Sequence, residues 1–234
     1  MNLKELFSSM DLELNDRQVE QYNLYTKLLK EYNDKVNLTA ITEEDEVNLK
    51  HYLDSVLPIL SGYFEDCASV IDVGCGAGFP SVPLKIYMPS LKFTLLDSLN
   101  KRINFLNILI DELDLSDITT IHSRAEDGGH NEELRQAFDI CVARAVAPLN
   151  ILMEYCTPFV KKGGYFIALK GREALNEVED AKKAADILNV KLVDTFSYTL
   201  PGTDNERKIL VYHKTGDTPK KYPRNPGKPS KNPL

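Results

Sequence analysis

Hydrophobic residues recur along this chain with two different periods, and the change falls near residue 61. Across residues 1–60 they return every three or four positions, which predicts amphipathic helices. From 61 to 213, short apolar runs alternate with helical patterns, which predicts an α/β domain with a mostly parallel sheet. Residues 214–234 follow neither period. The chain is therefore expected to comprise a helical extension, a central domain and a tail.

Two long helices are predicted in the extension. Asn15 is expected to cap the first, because its side chain can accept the backbone N–H groups that a helix start leaves unpaired. The apolar positions of this helix are Val19, Tyr22, Tyr25, Leu29 and Tyr32. Thr42 and Asp45 resemble a capping box at the start of the second helix. In that helix, His51 and Asp54 lie three residues apart and hence on one face, where a surface hydrogen bond is the favoured interpretation.

Seven strands are predicted in the central domain, with helices between most of them. The strands cover residues 69–73, 92–97, 117–122, 138–143, 165–169, 190–200 and 206–213. The helices cover residues 81–88, 101–113, 149–160 and 173–188, and the last of these is charge-laced and expected to be solvated. Lys161–Gly164 is predicted to be a turn. Pro201–Asn205 joins the last two strands, which predicts a closing antiparallel hairpin.

The last 21 residues are basic and rich in proline. They hold five of the chain's 12 prolines and carry a net charge of +5, in a chain whose total is −7. Proline opposes helices and central strands, so a flexible basic tail on an acidic body is predicted. Tyr222 and Arg224 in this tail are suited to stack on bases or pair with phosphates. The average charge argues against a nucleic-acid partner, whereas this local patch favours one.

Composition narrows the class of protein further. An apolar content of 43% suffices for a full core. The sequence has neither a run of about 18 apolar residues nor an apolar leader, so a cytoplasmic protein without a membrane span is expected. The four cysteines form no C-x-x-C pair and are expected to be buried, reduced thiols, with no metal site. They are Cys67, Cys75, Cys141 and Cys156.

The chemistry is expected to centre on the glycine-rich stretch Val70–Pro80. A strand, a turn containing Gly74, Gly76 and Gly78, and a helix start predict a nucleotide-sized ligand site at the carboxyl end of the strand. The spacing differs from the dinucleotide motif G-x-G-x-x-G, because position 79 is Phe, and no Gly-Lys-Ser/Thr follows as in a P-loop. A glycine-rich turn without a ligand is the alternative.

Charged residues stand at the expected strand ends. Asp97 follows the glycines by about 20 residues, where a carboxylate can accept hydrogen bonds from ribose hydroxyls or cap the next helix. Arg144 ends the fourth strand and is a poor core residue, because a buried unpaired guanidinium is costly; an ion-paired or functional arginine is expected. The other cations at such positions are Lys101, Arg102, Lys170 and Arg172.

The D-x-G-x-G-x-G pattern of Asp72–Gly78 resembles motif I of class I S-adenosylmethionine-dependent methyltransferases. An ordered set of stretches resembles one family more closely, the bacterial 16S rRNA guanine-N7 methyltransferases, also called glucose-inhibited division protein B. The stretches are Val36–Thr39, His51–Ser55, Asp72–Pro80, Leu96–Arg102, Arg124–Glu126, Ala143–Ala145, Leu169–Gly171 and Lys221–Arg224 with Gly227. They span nearly the whole chain, whereas the glycine motif alone is not specific beyond the class.

The resemblance implies a Rossmann-like methyltransferase fold and S-adenosylmethionine as the methyl donor. Carried over by position, the cofactor contacts are Gly74, Phe79, Asp97, Ser98, Leu99, Ala125, Glu126 and Arg144, with Gly76 and Gly78 in the same loop. Cys75 replaces the Ser or Thr more common in the family, with little expected consequence. Arg144 and Lys170 are expected to hold the guanine O6 edge or nearby phosphates. Further RNA contacts are expected from Lys101, Arg102, Arg172, Lys221 and Arg224.

The implied reaction is methyl transfer to N7 of a guanine in 16S rRNA of the small ribosomal subunit. N7 carries a lone pair and no proton, so no general base is needed and positioning is expected to supply the catalysis. The expected partner is this rRNA, and the protein is expected to act as a monomer. Two other classes stay open: a methyltransferase of a small molecule or protein, and a non-catalytic RNA-binding protein on the same fold.

Overall fold

A computed structural model describes residues 2–234, and in that range seven strands form one sheet. The strands are β1 (Ser69–Val73), β2 (Lys92–Asp97), β3 (Ile118–His122), β4 (Phe138–Arg144), β5 (Val160–Gly171), β6 (Val190–Thr199) and β7 (Glu206–Lys214). Their order is β3-β2-β1-β4-β5-β7-β6, with β7 antiparallel to both neighbours and the other pairs parallel. The predicted sheet, including its closing hairpin, is confirmed.

Helices cover both faces of the sheet. The α-helices are α1 (Leu3–Ser8), α2 (Asp16–Val36), α3 (Glu44–Val47), α4 (Asp54–Val56), α5 (Ser81–Tyr87), α6 (Asn100–Glu112), α7 (Ala125–Gly128), α8 (Leu149–Cys156), α9 (Ala174–Ile187) and α10 (Lys228–Lys231). One apolar cluster joins α2, α5 and α6 to one face, and a second joins α8 and α9 to the other. No helix within residues 2–234 is both long enough and apolar enough to cross a membrane.

The strand order reverses beside β1, and this reversal positions the site. β1 pairs with β2 on one side and with β4 on the other. Where the strand order of an open parallel sheet reverses in this way, the carboxyl ends of the neighbouring strands leave a crevice for ligands. Gly74 directly follows β1, and Arg144 ends β4. The fold therefore brings two regions of the predicted site to one crevice.

The helical extension starts as predicted. The Asn15 side chain accepts the Gln18 N–H at 2.9 Å, and the Gln18 side chain accepts the Asn15 N–H at 3.0 Å, which confirms the cap of α2. The capping box predicted at Thr42 and Asp45 is wrong. α3 begins after Glu43, and no side chain in the described part of the chain caps it.

The second helical segment is irregular, and this irregularity buries two residues expected at the surface. A π-helical stretch, Asn48–Leu53, joins α3 to α4. Its wider turn breaks the helical spacing from which a surface pair was inferred. Asp54 is only 4% exposed, and His51 is half-buried. The surface interpretation of this pair is therefore wrong.

Two local predictions in the central domain are also wrong. Lys161–Gly164 is not a turn but part of β5, where the pairing with β4 slips by several residues. Gly163 has a φ of +88°, which suits the bulge that absorbs this slip. Cys67 is exposed, although the other three cysteines are buried as expected.

The tail is ordered against the body, so its predicted flexibility is wrong. The Arg135 guanidinium donates to the carbonyl oxygens of Thr218 and Tyr222 at 2.9 Å each. Arg224 forms a bidentate ion pair with the buried Glu154. The tail even contains the short helix α10. Proline excludes long regular structure, but it leaves backbone carbonyls free to accept hydrogen bonds from side chains of the body.

Candidate active site

The glycine loop is held close to its surroundings at both ends and is open in the middle. Gly74, Gly76 and Gly78 have φ values of +77°, +60° and +103°, a region that side chains disfavour. A Cβ on Gly74 would lie 2.8 Å from Val146, and one on Gly78 would lie 2.7 Å from Val82. A Cβ on Gly76 would meet no heavy atom of the described residues within 4 Å. Gly76 is therefore the position where a ligand can approach the backbone.

Two buried carboxylates flank the loop. Asp97, 2% exposed, accepts the Gly76 N–H at 2.9 Å and the Leu99 N–H at 2.8 Å, and lies 3.3 Å from an Arg102 nitrogen. Asp97 thus fixes the loop to the turn before α6. It does not cap that helix as expected, because Leu99 is the N-cap residue and no side chain of the described residues accepts the first N–H groups of α6. Asp72 is fully buried in β1, and this burial raises the pKa of its carboxyl to about 7.

A cavity opens beside the loop on the side of β2 and β3. Its lining includes four of the residues expected at the cofactor: Gly74, Ser98, Ala125 and Glu126. Arg124 and Tyr155 line it as well, and so do Gly227 and Ser230 of the tail. The open space at Gly76 and this cavity fit the close approach and the adenine position that S-adenosylmethionine requires. Asp97 is not among the residues that line the cavity, and its buried carboxylate is engaged by the Gly76 and Leu99 N–H groups.

A second group of side chains lies on the other side of the loop and is stacked. The rings of His51 and Phe79 are 4.2 Å apart at 16°, and the Tyr25 ring stacks on Phe79 at 5.4 Å. The Arg144 guanidinium carbon lies 5.2 Å from the centre of the Phe79 ring, within the range of a cation–π contact. Phe79 therefore links the glycine loop to the arginine that ends β4.

Asp54 is the anion that balances Arg144. Its carboxylate lies 3.4 Å from the Arg144 Nη1 and 3.3 Å from the Arg207 Nε, and it accepts the Tyr198 hydroxyl at 2.9 Å. Burial lowers the pKa of Arg144, and Asp54 opposes that shift. The burial of Tyr198 and, to a smaller extent, the negative charge of Asp54 raise the pKa of the Tyr198 hydroxyl well above its usual range. The ion-paired arginine expected at this position is what the structure contains.

His51 is held as a neutral imidazole. Burial, with a smaller contribution from Arg144, lowers its pKa to about 4. Its Nδ1 faces an Arg144 nitrogen at 3.4 Å and its Nε2 faces the Thr39 hydroxyl at 2.8 Å, so the partners assign the proton to Nε2. The Asn33 side chain in turn accepts the Thr39 N–H at 2.9 Å. The loop after α2 therefore positions His51 and, through it, Arg144.

Lys170 reaches the same pocket but is already paired. A cavity beyond Arg144 is lined by His51, Asp54 and Lys170. The Lys170 ammonium, in a side chain 8% exposed, lies 2.7 Å from the Glu177 carboxylate and donates to the Ala147 carbonyl at 2.8 Å. Lys170 therefore holds the pocket wall in place by pairing with Glu177. This residue lies in α9, the helix that the sequence predicts to be merely solvated.

The cations expected at RNA are spread over the surface. Lys101 is exposed at the start of α6, and Arg172 is exposed beside Glu206. Lys221 lies over the Tyr222 ring. The remaining two, Arg102 and Arg224, are engaged with Asp97 and Glu154. The structure thus leaves three of the five exposed and places the other two in the framework.

Several site residues were missed from the sequence. Arg207 and Tyr198 lie on the closing hairpin, 153 and 144 residues from Asp54, and local spacing carries no sign of such contacts. Glu177 was missed because its helix is predicted to be solvated. For His51 and Asp54 a signal existed, because both fall in the stretch His51–Ser55 that carries the family resemblance.

Solved structures with this fold include one in complex with AdoMet. The chain aligns with M. jannaschii TYW2 in complex with AdoMet, at 16% identity and a TM-score of 0.52, covering 68% of this chain and 76% of that one. It also aligns with the YcgJ protein of Bacillus subtilis, at 12% identity and a TM-score of 0.54, covering 71% of this chain and 100% of that one. At such identities the likeness concerns the fold.

The sheet order, the glycine loop and its carboxylate define a class I S-adenosylmethionine-dependent methyltransferase. The family model described as rRNA small subunit methyltransferase G, GidB, matches residues 18–208, and the chain belongs to that family. Ribosomal RNA small subunit methyltransferase G of Lactobacillus acidophilus is 52% identical over 229 residues, covering 97% of this chain and 95% of that protein. The protein of the same name from Alkaliphilus metalliredigens is 50% identical over 234 residues, covering 100% and 98%.

Proposed function

We propose that this protein transfers a methyl group from S-adenosylmethionine to N7 of a guanine in 16S rRNA. The observation that carries the proposal is the pocket at the end of β4. Arg144 lines this pocket, and its guanidinium lies over the ring of Phe79, which directly follows Gly78 of the glycine loop. The family membership supports small-subunit rRNA as the substrate class. The choice of guanine N7 rests on the resemblance of the ordered motifs to the guanine-N7 methyltransferases.

The pocket suits an acceptor that needs no deprotonation. Guanine N7 offers a lone pair and no proton, and the sulfonium of the bound cofactor supplies an activated methyl group. His51 is neutral with Nδ1 turned to Arg144, and Asp54 is committed to two arginines and a tyrosine. Neither group is poised as a general base. Alignment of the reactants is then the main contribution of the protein, worth up to about 7–11 kcal/mol in favourable cases.

Arg144 is proposed to hold the guanine O6 edge or a neighbouring phosphate. Asp54, His51 and Phe79 fix its guanidinium from different directions, which preorganises it for that contact. A cation placed against N7 itself would oppose the positive charge that develops on the base, so O6 or phosphate is the better partner. Lys170 is proposed to act beside it by bracing the pocket through Glu177.

The acceptor base must leave its stack to reach this pocket, as for other enzymes that modify bases. Lys101, Arg172 and Lys221 are exposed and are proposed to contact phosphates of the surrounding RNA. Such contacts weaken as salt increases, because binding releases counterions from the RNA. Because a ribosomal particle is the proposed substrate, we place the protein in the cytoplasm. We also propose that it acts as a monomer, which light scattering of the purified protein would test.

The experiment is tritiated methyl transfer from S-adenosylmethionine to three substrates: 30S particles, naked rRNA and total protein. Arg144→Ala is expected to lower transfer to rRNA by about 100-fold, because a fixed contact at the acceptor is lost. Lys170→Met is expected to lower it by less. Lys162→Ala serves as the matched control, since Lys162 is exposed at the opposite end of β5. Full activity of Arg144→Ala would contradict its assignment.

This assay, together with a filter-binding measurement of rRNA, separates the two alternative functions. Methylation of total protein without rRNA would indicate a protein methyltransferase. Binding of rRNA without any transfer of tritium would indicate a non-catalytic RNA-binding protein. The fit of the glycine loop, which Asp97 holds at Gly76, to the cofactor argues against that second outcome.

A further inference from the structure

The tail passes over the cofactor cavity, and contacts with the body of the protein hold the tail in place just before the cavity. We call residues 222–230 the strap. Its root is held by Arg135, which donates to the Tyr222 carbonyl at 2.9 Å, and by His130, whose Nε2 lies 2.7 Å from the Pro223 carbonyl. Pro223 also packs against Gly129, where a Cβ would come within 2.8 Å of the proline ring. The root of the strap is thus fixed at the end of α7.

A buried ion pair between Arg224 and Glu154, which we call the lock, holds the strap directly after its root. The Arg224 guanidinium donates to both oxygens of Glu154, at 2.8 Å from Nε and 2.6 Å from Nη2, and the Arg224 N–H adds a bond of 2.7 Å. Glu154 lies in α8 and is fully buried. A buried carboxylate is strongly destabilising without a partner, so Glu154 is a built receptor for Arg224. This explains why a cation expected at RNA is directed into the protein.

Beyond the lock, the strap forms part of the cavity wall. The Gly227 N–H donates to Glu126 Oε1 at 3.0 Å, and the Ser230 hydroxyl lies 2.9 Å from the Tyr155 hydroxyl. All four residues line the cavity. Glu126 is 5% exposed, and the motif resemblance assigns it to the cofactor. The strap therefore sets the direction of a carboxylate expected to bind the cofactor.

We infer that the strap is a component of the S-adenosylmethionine site. It closes the adenine end of the cavity, and Gly227 is a positioning residue that acts through Glu126. The affinity for the cofactor and its rate of release then depend on the tail. This inference rests on the proposed placement of the cofactor in this cavity. It differs from the role in RNA docking expected from the tail's charge.

The test measures binding of S-adenosylmethionine by calorimetry and its release by stopped flow, without RNA. Tyr155→Phe with Ser230→Ala removes the hydrogen bond across the cavity mouth and leaves the lock intact. We expect the Kd and the release rate to rise about two- to tenfold, the range for loss of one hydrogen bond. Lys220→Ala is the control, because Lys220 is exposed outside the strap.

A second pair of changes opens the lock without leaving a buried charge. Arg224→Gln with Glu154→Gln keeps similar shapes, and circular dichroism checks that the variant folds. We expect a larger rise in Kd. We also expect faster hydrogen exchange at residues 225–231, and adding the cofactor should no longer slow this exchange.

If both variants keep the wild-type Kd, the wild-type release rate and the wild-type protection from exchange, the inference is wrong but the proposed function stands. Absence of binding by the wild type would overturn it together with the proposed function. Wild-type cofactor binding with a raised KM for 30S particles would identify an RNA-docking tail instead.

Discussion

Replacing Asp54 with asparagine removes the carboxylate that forms ion pairs with Arg144 and Arg207. The change keeps the size of the side chain and one acceptor oxygen for the Tyr198 hydroxyl, so the lost charge is the main perturbation. Asp54 is 5% exposed at its side chain, against 14% for Arg144 and 28% for Arg207. The three groups are therefore buried to different degrees, and the magnitude follows from that difference.

Removing one partner of a buried ion pair costs about 3–5 kcal/mol. Water reaches Arg207, and less so Arg144, and asparagine retains a hydrogen bond, so we expect a loss of about 2–3 kcal/mol for Asp54→Asn. Natural domains have unfolding free energies of about 5–15 kcal/mol, so the variant should still fold. With a urea dependence of about 2 kcal/mol per M, the unfolding midpoint falls by about 1–1.5 M.

The assay is urea unfolding followed by circular dichroism, with methyl transfer to 30S particles measured on the folded variant. Because Arg144 loses its anchor, kcat should fall by about 10- to 100-fold. Asp114→Asn is the matched control, since Asp114 forms an exposed ion pair with Arg17 and should leave the midpoint unchanged. An unchanged midpoint and kcat for Asp54→Asn would refute the view that Asp54 organises this pocket.

Two further predictions concern the glycine loop and a buried lysine. Gly78→Ala should destabilise the protein by about 2 kcal/mol or more, through its positive φ and a contact of 2.7 Å with Val82. Gly76→Ala should destabilise it less, through its positive φ alone, and should weaken cofactor binding; equal stability losses in thermal unfolding would contradict this. Burial lowers the pKa of Lys214 to about 7, so between about pH 7 and 10.5 the unfolded chain binds more protons and the free energy of unfolding rises with pH. Lys214→Met should flatten that rise in urea unfolding at pH 7 and 9.5, and an unaltered slope would show that Lys214 does not cause it.

The strands and the glycine loop could be predicted because their signals are local. β1 was predicted with its observed bounds, and the three glycines have the positive φ values that their spacing suggested. Asp97 was placed correctly for the same reason, since a strand end followed by a helix start limits where its side chain can lie. Patterns of period two and of period 3.6 fix these features within a few residues.

The rest depended on tertiary partners and on irregular backbone geometry that the sequence patterns do not specify. The tail is composed like a flexible segment, but residues of the body 70 or more positions away, among them Arg135, His130 and Glu154, hold it in place. Asp54 was assigned to the surface because helical spacing was assumed, and a π-helical turn altered that spacing. Lys170, at the end of β5, was expected to face RNA, but its ammonium group forms an ion pair with Glu177 of α9. Charge patterns show which side chains need partners but not which partners they find.

The central claim is that the methyl group reaches N7 of a guanine in 16S rRNA. We would incubate the protein and S-adenosylmethionine with 30S particles from cells that lack this activity, then treat the rRNA with borohydride and aniline, which cleave RNA at N7-methylguanosine. We expect a new cleavage in 16S rRNA that requires the cofactor and is strongly reduced with Arg144→Ala. Tritium incorporated into the particles without such a cleavage would contradict it.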